Sequence, residues 1–176
     1  VLPYFWVPEA KLRQRRKNGV MLEPWIKSGM LETTPGEVVD YNYILDRVDK
    51  LMQEYRIQEI AFDRWGAAKL RADMEVKGWT LVQFGQGFAS MSAPMKELER
   101  LVVEQKVIHG NHPVLNWMAE NVVARNDPAG NIKPDKEKSA EKIDGIVALI
   151  MALDRAIRWK EQQSVYETRP VRVITF

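Results

Sequence analysis

A chain of 176 residues, 45% of them hydrophobic and 28% charged, is long enough to fill one core and favours a single globular domain. Its longest apolar run, Ile146 to Leu153, is far shorter than the roughly 18 residues a membrane helix needs, and no signal peptide is visible. Zero cysteines exclude disulfides and thiolate-bound zinc and fit a reducing cytoplasm, while a net charge of +2 is too small to announce nucleic acid without local basic patches.

The chain opens on Val1-Leu2-Pro3-Tyr4-Phe5-Trp6-Val7, a run of β-formers with no polar lead-in, so it reads as beginning in mid-sheet. The alternative is an edge strand packed on one face. A polar helix is expected over Pro8 to Lys17 and another over Leu22 to Ser28, stopped at Gly29. Ile44, Val48, Leu51, Met52 and Tyr55 recur at helical spacing behind Asp40 or Asn42 as N-cap. A strand Ile57 to Phe62, a helix Ala67 to Lys77 closed by Gly78 and a strand Thr80 to Phe84 form a β-α-β unit, hence a parallel pair. Beyond the loop Gly85 to Met91, Ser92 is placed to cap a helix bearing Met95, Leu98, Leu101 and Val102, and Pro113 opens the next with Leu115, Met118 and Val122. Asp127-Pro128-Ala129-Gly130-Asn131 reads as a hairpin turn between Val122 to Arg125 and Ile132. A final helix from about Ser139 to Trp159 has the stripe Ile143, Ile146, Val147, Ile150, Leu153 and Ile157, with a polar tail after it.

Two carboxylates stand where an α/β fold can present metal ligands. Asp63 follows a strand, and ligands of open parallel sheets gather at the carboxyl ends of strands. It would equally serve as the cap of the helix behind it. Asp144 lies beside the apolar stripe of the last helix, where a carboxylate is costly unless a metal, Lys142 or an arginine meets it. Hard oxygen ligands of this kind suit Mg²⁺ or Mn²⁺. His109 and His112 lack an acidic partner at ligand spacing and read as surface or turn residues. Gly85-Gln86-Gly87 matches no phosphate-binding motif and reads as a loop beside the site or a plain connector. Arg13, Arg15 and Arg16 could follow a DNA backbone or simply form a solvated helix face; Lys133, Lys136, Lys138 and Lys142 are better placed because they lead into Asp144.

The segments FGQGFASMSAPMKELERLV (Phe84 to Val102), DPAGNIKPDK (Asp127 to Lys136) and EKIDGIVALIMAL (Glu141 to Leu153), together with AFDRW (Ala61 to Trp65), resemble the C-terminal nuclease domain of the large terminase subunit of tailed bacteriophages. The likeness runs over nearly the whole chain, from the opening strand to Ser164-Val165-Tyr166-Glu167. It implies an α/β, RNase H-like mixed sheet flanked by helices, with residues 1–160 as the nuclease domain and 161–176 as a C-terminal tail. It also implies an endonuclease that cuts concatemeric double-stranded viral DNA with two Mg²⁺ or Mn²⁺ ions. The partners implied are an upstream ATPase domain, the small terminase subunit and the portal, in the host cytoplasm. Three acids hold the metals in this family; Asp63 matches the second and Asp144 the third. The first belongs on a strand expected upstream of Val1, so the first strands of the sheet are read as missing. A sheet with that gap would leave an open edge beside the strand of Asp63. The non-catalytic alternative is a DNA-guiding and docking module lacking one carboxylate, and the terminase-type segments disfavour a resolvase or transposase.

Overall fold

The computed structural model describes residues 1–12, 22–63 and 68–162. Arg13, Arg15, Arg16 and the tail from residue 163 onward lie outside the described residues, and with them the expectations placed there.

The opening run forms a strand only over Trp6–Pro8 (β1), which pairs in parallel with Glu32–Thr34 (β2) across the short helix Glu23–Lys27 (α1). The sequence gives no sign of β2, because it is short and polar. Tertiary contacts hold it: the Trp6 indole Nε1 donates to Glu32 Oε2 at 3.2 Å, and Arg47, whose guanidinium lies over the Tyr4 ring, pairs with the same carboxylate. Arg47 belongs to Tyr41–Glu54 (α2), which starts where the pattern expects it, with Asp40 Oδ1 accepting the Asn42 N–H at 3.0 Å.

The β-α-β unit is present. Ile60–Asp63 (β3), Ala68–Val76 (α3) and Leu81–Phe84 (β4) succeed one another, and β3 and β4 pair in parallel with Asp63 level with Phe84. Among the described residues β3 pairs with β4 alone, and beside it a groove of about 410 Å³ runs between Ala61 and the Ala148, Ala152 and Ala156 face of the last helix.

Phe88–Val103 (α4) begins a turn earlier than the capping rule suggests. Gly87 is its N-cap, and Ser92 is buried inside it, where its hydroxyl oxygen accepts the Ile132 N–H at 3.2 Å. Pro94, normally a first-turn residue, lies within the helix. Pro113–Asn121 (α5) is followed by the expected hairpin, Ala124–Asn126 (β5) paired antiparallel with Ile132–Pro134 (β6). Its turn needs the positive φ of Gly130 and is locked by Asp127, which accepts from both the backbone and the side chain of Asn131 at 2.8 Å. The Asn131 side-chain bond, first among several, holds the Asp127 carboxyl below its ordinary range.

The last helix, Asp144–Gln162 (α6), starts later than the apolar stripe suggests. Residues just before it are committed to another structure: Asp135 Oδ1 accepts the Glu137 and Lys138 N–H groups, and the Ser139 hydroxyl donates to the Asp135 carbonyl at 2.7 Å. Met91, Met95 and Leu98 of α4, Val114, Leu115 and Met118 of α5, and Ile146, Val147, Ile150 and Met151 of α6 make the core, with Phe84 of β4.

Phe5 closes the core at one end, its ring centroid 5.3 Å from that of His112. His112 is buried rather than a surface residue, its Nδ1 has no hydrogen-bond partner among the described residues, and its backbone N–H donates to His109 Nδ1, which makes this a local turn rather than a metal pair. Burial first, and then the neighbouring His109, lowers the His112 pKa. The unfolded chain therefore takes up the proton more readily than the fold does. This contribution to stability is complete above about pH 6.5, the ordinary histidine value, and is lost as the pH falls below it. Melting temperatures from pH 7.5 to 5.5 are expected to fall more steeply for the wild type than for His112→Gln; parallel curves would remove His112 as a source of acid sensitivity.

Candidate active site

β3 and α6 pack against one another and share the groove beside Ala61. At the start of β3, Glu59 Oε2 accepts from Arg155 Nε at 2.6 Å, a largely buried pair in which the Glu59 bond raises the Arg155 pKa. From Glu59 to Asp63 the strand advances about 13 Å. From Arg155 back to Asp144 the helix covers about 16 Å. Asp63 and Asp144 are touched by Gln86 and Lys136, which line one cleft, so both lie toward one end, away from the Glu59–Arg155 pair.

That end opens into two adjoining clefts. One, of about 190 Å³, is lined by Gln86, Met91, Arg125, Lys133, Asp135, Lys136 and Val147, among others. Its neighbour, of about 240 Å³, is lined by Lys136, Glu141, Lys142 and Asp144 with the intervening loop. Gln86 Nε2 donates to Asp63 Oδ2 at 2.8 Å on one side, and Lys136 Nζ lies 3.4 Å from Asp144 Oδ1 on the other. Asp63 and Asp144 are thus each tied to a side chain lining the cleft of about 190 Å³.

Asp144 differs from its sequence reading. Because α6 begins at this residue, its side chain is 62% exposed and carries no burial cost. Its pair with half-exposed Lys136 is worth about 0–1 kcal/mol, too little to compete strongly with a divalent cation. The capping alternative for Asp63 involves residues 64–67, outside the described ones. Among the described residues no group of three or more His, Cys, Asp or Glu side chains is arranged to hold a metal. The donors at this end are carboxylate oxygens, with no imidazole or thiolate among the cleft linings. That chemistry fits Mg²⁺, which is held by one or two carboxylates and keeps several waters.

Of the expected basic residues, Lys133, Lys136 and Lys142 line these clefts, whereas Lys138 is exposed and lines neither. Lys133 is steadied over the Phe88 ring, 5.3 Å from its centroid. Arg125 escaped the sequence reading, and Gln86 was read only as part of a loop beside the site. Arg125 stands directly across the hairpin from Lys133, a pairing the hairpin register could have signalled. Gln86 was visible only as the middle of a glycine-flanked loop.

The family model for the terminase large subunit, endonuclease domain, matches residues 2–160. The chain belongs to this family. The terminase domain is 39% identical over 159 residues to the large terminase subunit of Enterobacteria phage HK97, a match covering 89% of this chain and 32% of that protein. It is 33% identical over 172 residues to the protein YmfN of Escherichia coli K12, covering 94% of this chain and 38% of that one. The crystal structure of the HK97 bacteriophage large terminase superimposes with a TM-score of 0.79 at 38% identity, covering 86% of this chain and 32% of the other. The terminase domain therefore spans about a third of the length of these relatives, and it shares the mixed α/β fold of the HK97 enzyme. No helix of the described residues is long and apolar enough to cross a membrane.

Proposed function

We propose that this domain is a metal-dependent DNA endonuclease that cuts concatemeric double-stranded viral DNA during genome packaging. In that role it works in the host cytoplasm at the procapsid portal, joined to an ATPase domain and served by a small terminase subunit. The supporting observation is that Gln86 and Lys136, which touch Asp63 and Asp144 in turn, line one cleft with Arg125 and Lys133.

Asp63 and Asp144 would hold Mg²⁺ or Mn²⁺, two ions when the family's third acid is present. Bound there, such ions activate a water and stabilise the leaving oxygen of a phosphodiester. The side chains of the chain itself account for the remainder. Arg125 and Lys133 offer fixed positive charge to the DNA backbone, and Lys136 extends that face to the rim of the acidic end. Glu141 lines the same cleft of about 240 Å³ as Asp144 and offers a further carboxylate there.

A DNA-guiding module without nuclease activity is the second reading, favoured by the lack of a three-acid group among the described residues. Plasmid nicking by the full-length large subunit in Mn²⁺, Mg²⁺ or excess chelator separates the two. Nicking that requires the metal is the expected result; DNA binding with no nicking in any metal would establish the guiding role instead. In the same protein, Arg125→Ala and Lys133→Ala are each expected to reduce the slope of log binding constant against log salt by about 1. Unchanged slopes would remove the hairpin from the DNA interface.

A further inference from the structure

We propose that Gln86 is a positioning residue of the metal centre, fixing the Asp63 carboxylate for cation binding. This rests on the assignment of Asp63 as a metal ligand and goes beyond it. The parallel register that sets Asp63 level with Phe84 brings the chain leaving β4 directly past the end of β3. Gly87 then turns that chain into α4 as its N-cap, so Gln86 is held between a strand end and a helix start rather than on a long loop. Its side-chain amide donates to Asp63 Oδ2 at 2.8 Å, and the residue also lines the cleft of about 190 Å³ that Arg125 and Lys133 line.

The chemistry of this contact explains the residue type. An ionised carboxylate only accepts, so the amide nitrogen of Gln86 is the end that faces Asp63. With Oδ2 engaged, the plane of the carboxylate and the direction of Oδ1 are set. A lysine or arginine in this place would orient Asp63 as well, but its charge would oppose a divalent cation. A neutral donor orients the carboxylate without adding a positive charge of its own. Outer partners of metal-binding carboxylates typically contribute 10- to 100-fold in metal affinity.

The test is Mn²⁺ titration of the full-length large subunit without DNA, by calorimetry and by electron paramagnetic resonance, on the wild type, Gln86→Ala, Gln86→Met and Asp63→Asn. Gln86→Met retains length and loses the donor, which separates the hydrogen bond from filling of the cleft. Both Gln86 variants are expected to weaken Mn²⁺ binding about 10- to 100-fold while melting like the wild type. Their nicking should recover at saturating Mn²⁺, with the half-saturating concentration raised by a similar factor. Unchanged Mn²⁺ affinity in a folded Gln86→Met protein would overturn the positioning role and leave the assignment of Asp63 standing. Unchanged Mn²⁺ binding in Asp63→Asn would overturn that assignment, and the inference with it.

Discussion

Asp63→Asn and Asp144→Asn, each made in the full-length large subunit, are expected to abolish Mg²⁺- and Mn²⁺-dependent cleavage while leaving DNA binding close to that of the wild type. Asparagine preserves size and removes the charge that holds the cation. Charge stabilisation by a bound metal is worth several kcal/mol in a transition state, so the loss should reach at least about a thousand-fold. Asp144 gives the cleaner result of the two. It is 62% exposed and its only described ion pair is the weak one with Lys136, so the substitution should change stability by no more than about 1 kcal/mol. Plasmid nicking, filter binding and a thermal melt on the same preparations check all three expectations. Full nicking activity in Asp144→Asn would return that residue to an ordinary helix-start carboxylate, favourable there through the helix dipole.

The second large effect is expected at Gly145, beside Asp144. A Cβ at this position would meet Phe5 Cε1 at 2.7 Å and both Met118 Sδ and Phe5 Cζ at 2.9 Å. Met118 can swing aside, but the Phe5 ring is backed by His112. Alanine is the better helix former by up to about 1 kcal/mol, whereas overpacking of this kind costs about 1–3 kcal/mol, and the clash with a supported ring should win. Gly145→Ala is therefore expected to lower the melting temperature by several degrees, roughly 2–4 °C for each kcal/mol lost in a chain of this size. Relief of the clash by moving the first turn of α6 would also shift Asp144, so cleavage should drop along with stability. Phe5→Leu in the same background should restore part of both. A Gly145→Ala protein as stable and as active as the wild type would show that the close approach of Phe5 is not what seats this helix.

The sequence alone determined what depends on neighbours along the chain. The cap at Asp40, the β-α-β succession around Asp63 and the hairpin at Asp127 to Asn131 all appear as read, because capping, strand–helix alternation and turn chemistry are settled within a few residues. The wording around Asp63 and Asp144 was likewise enough to name the family. Whatever depended on remote partners was not legible. The strand Glu32–Thr34 exists because Trp6 and Arg47 reach its glutamate, and Ser92 lies mid-helix, accepting from Ile132, instead of capping. Asp144 reads from periodicity as a carboxylate beside a buried stripe, yet it is exposed because the turn centred on Asp135 takes up the preceding residues and delays the helix. The loop of Gln86 was read beside the site, but its bond to Asp63 was not, and Arg125 was missed, because a parallel register and a hairpin register couple residues that one-dimensional spacing cannot relate.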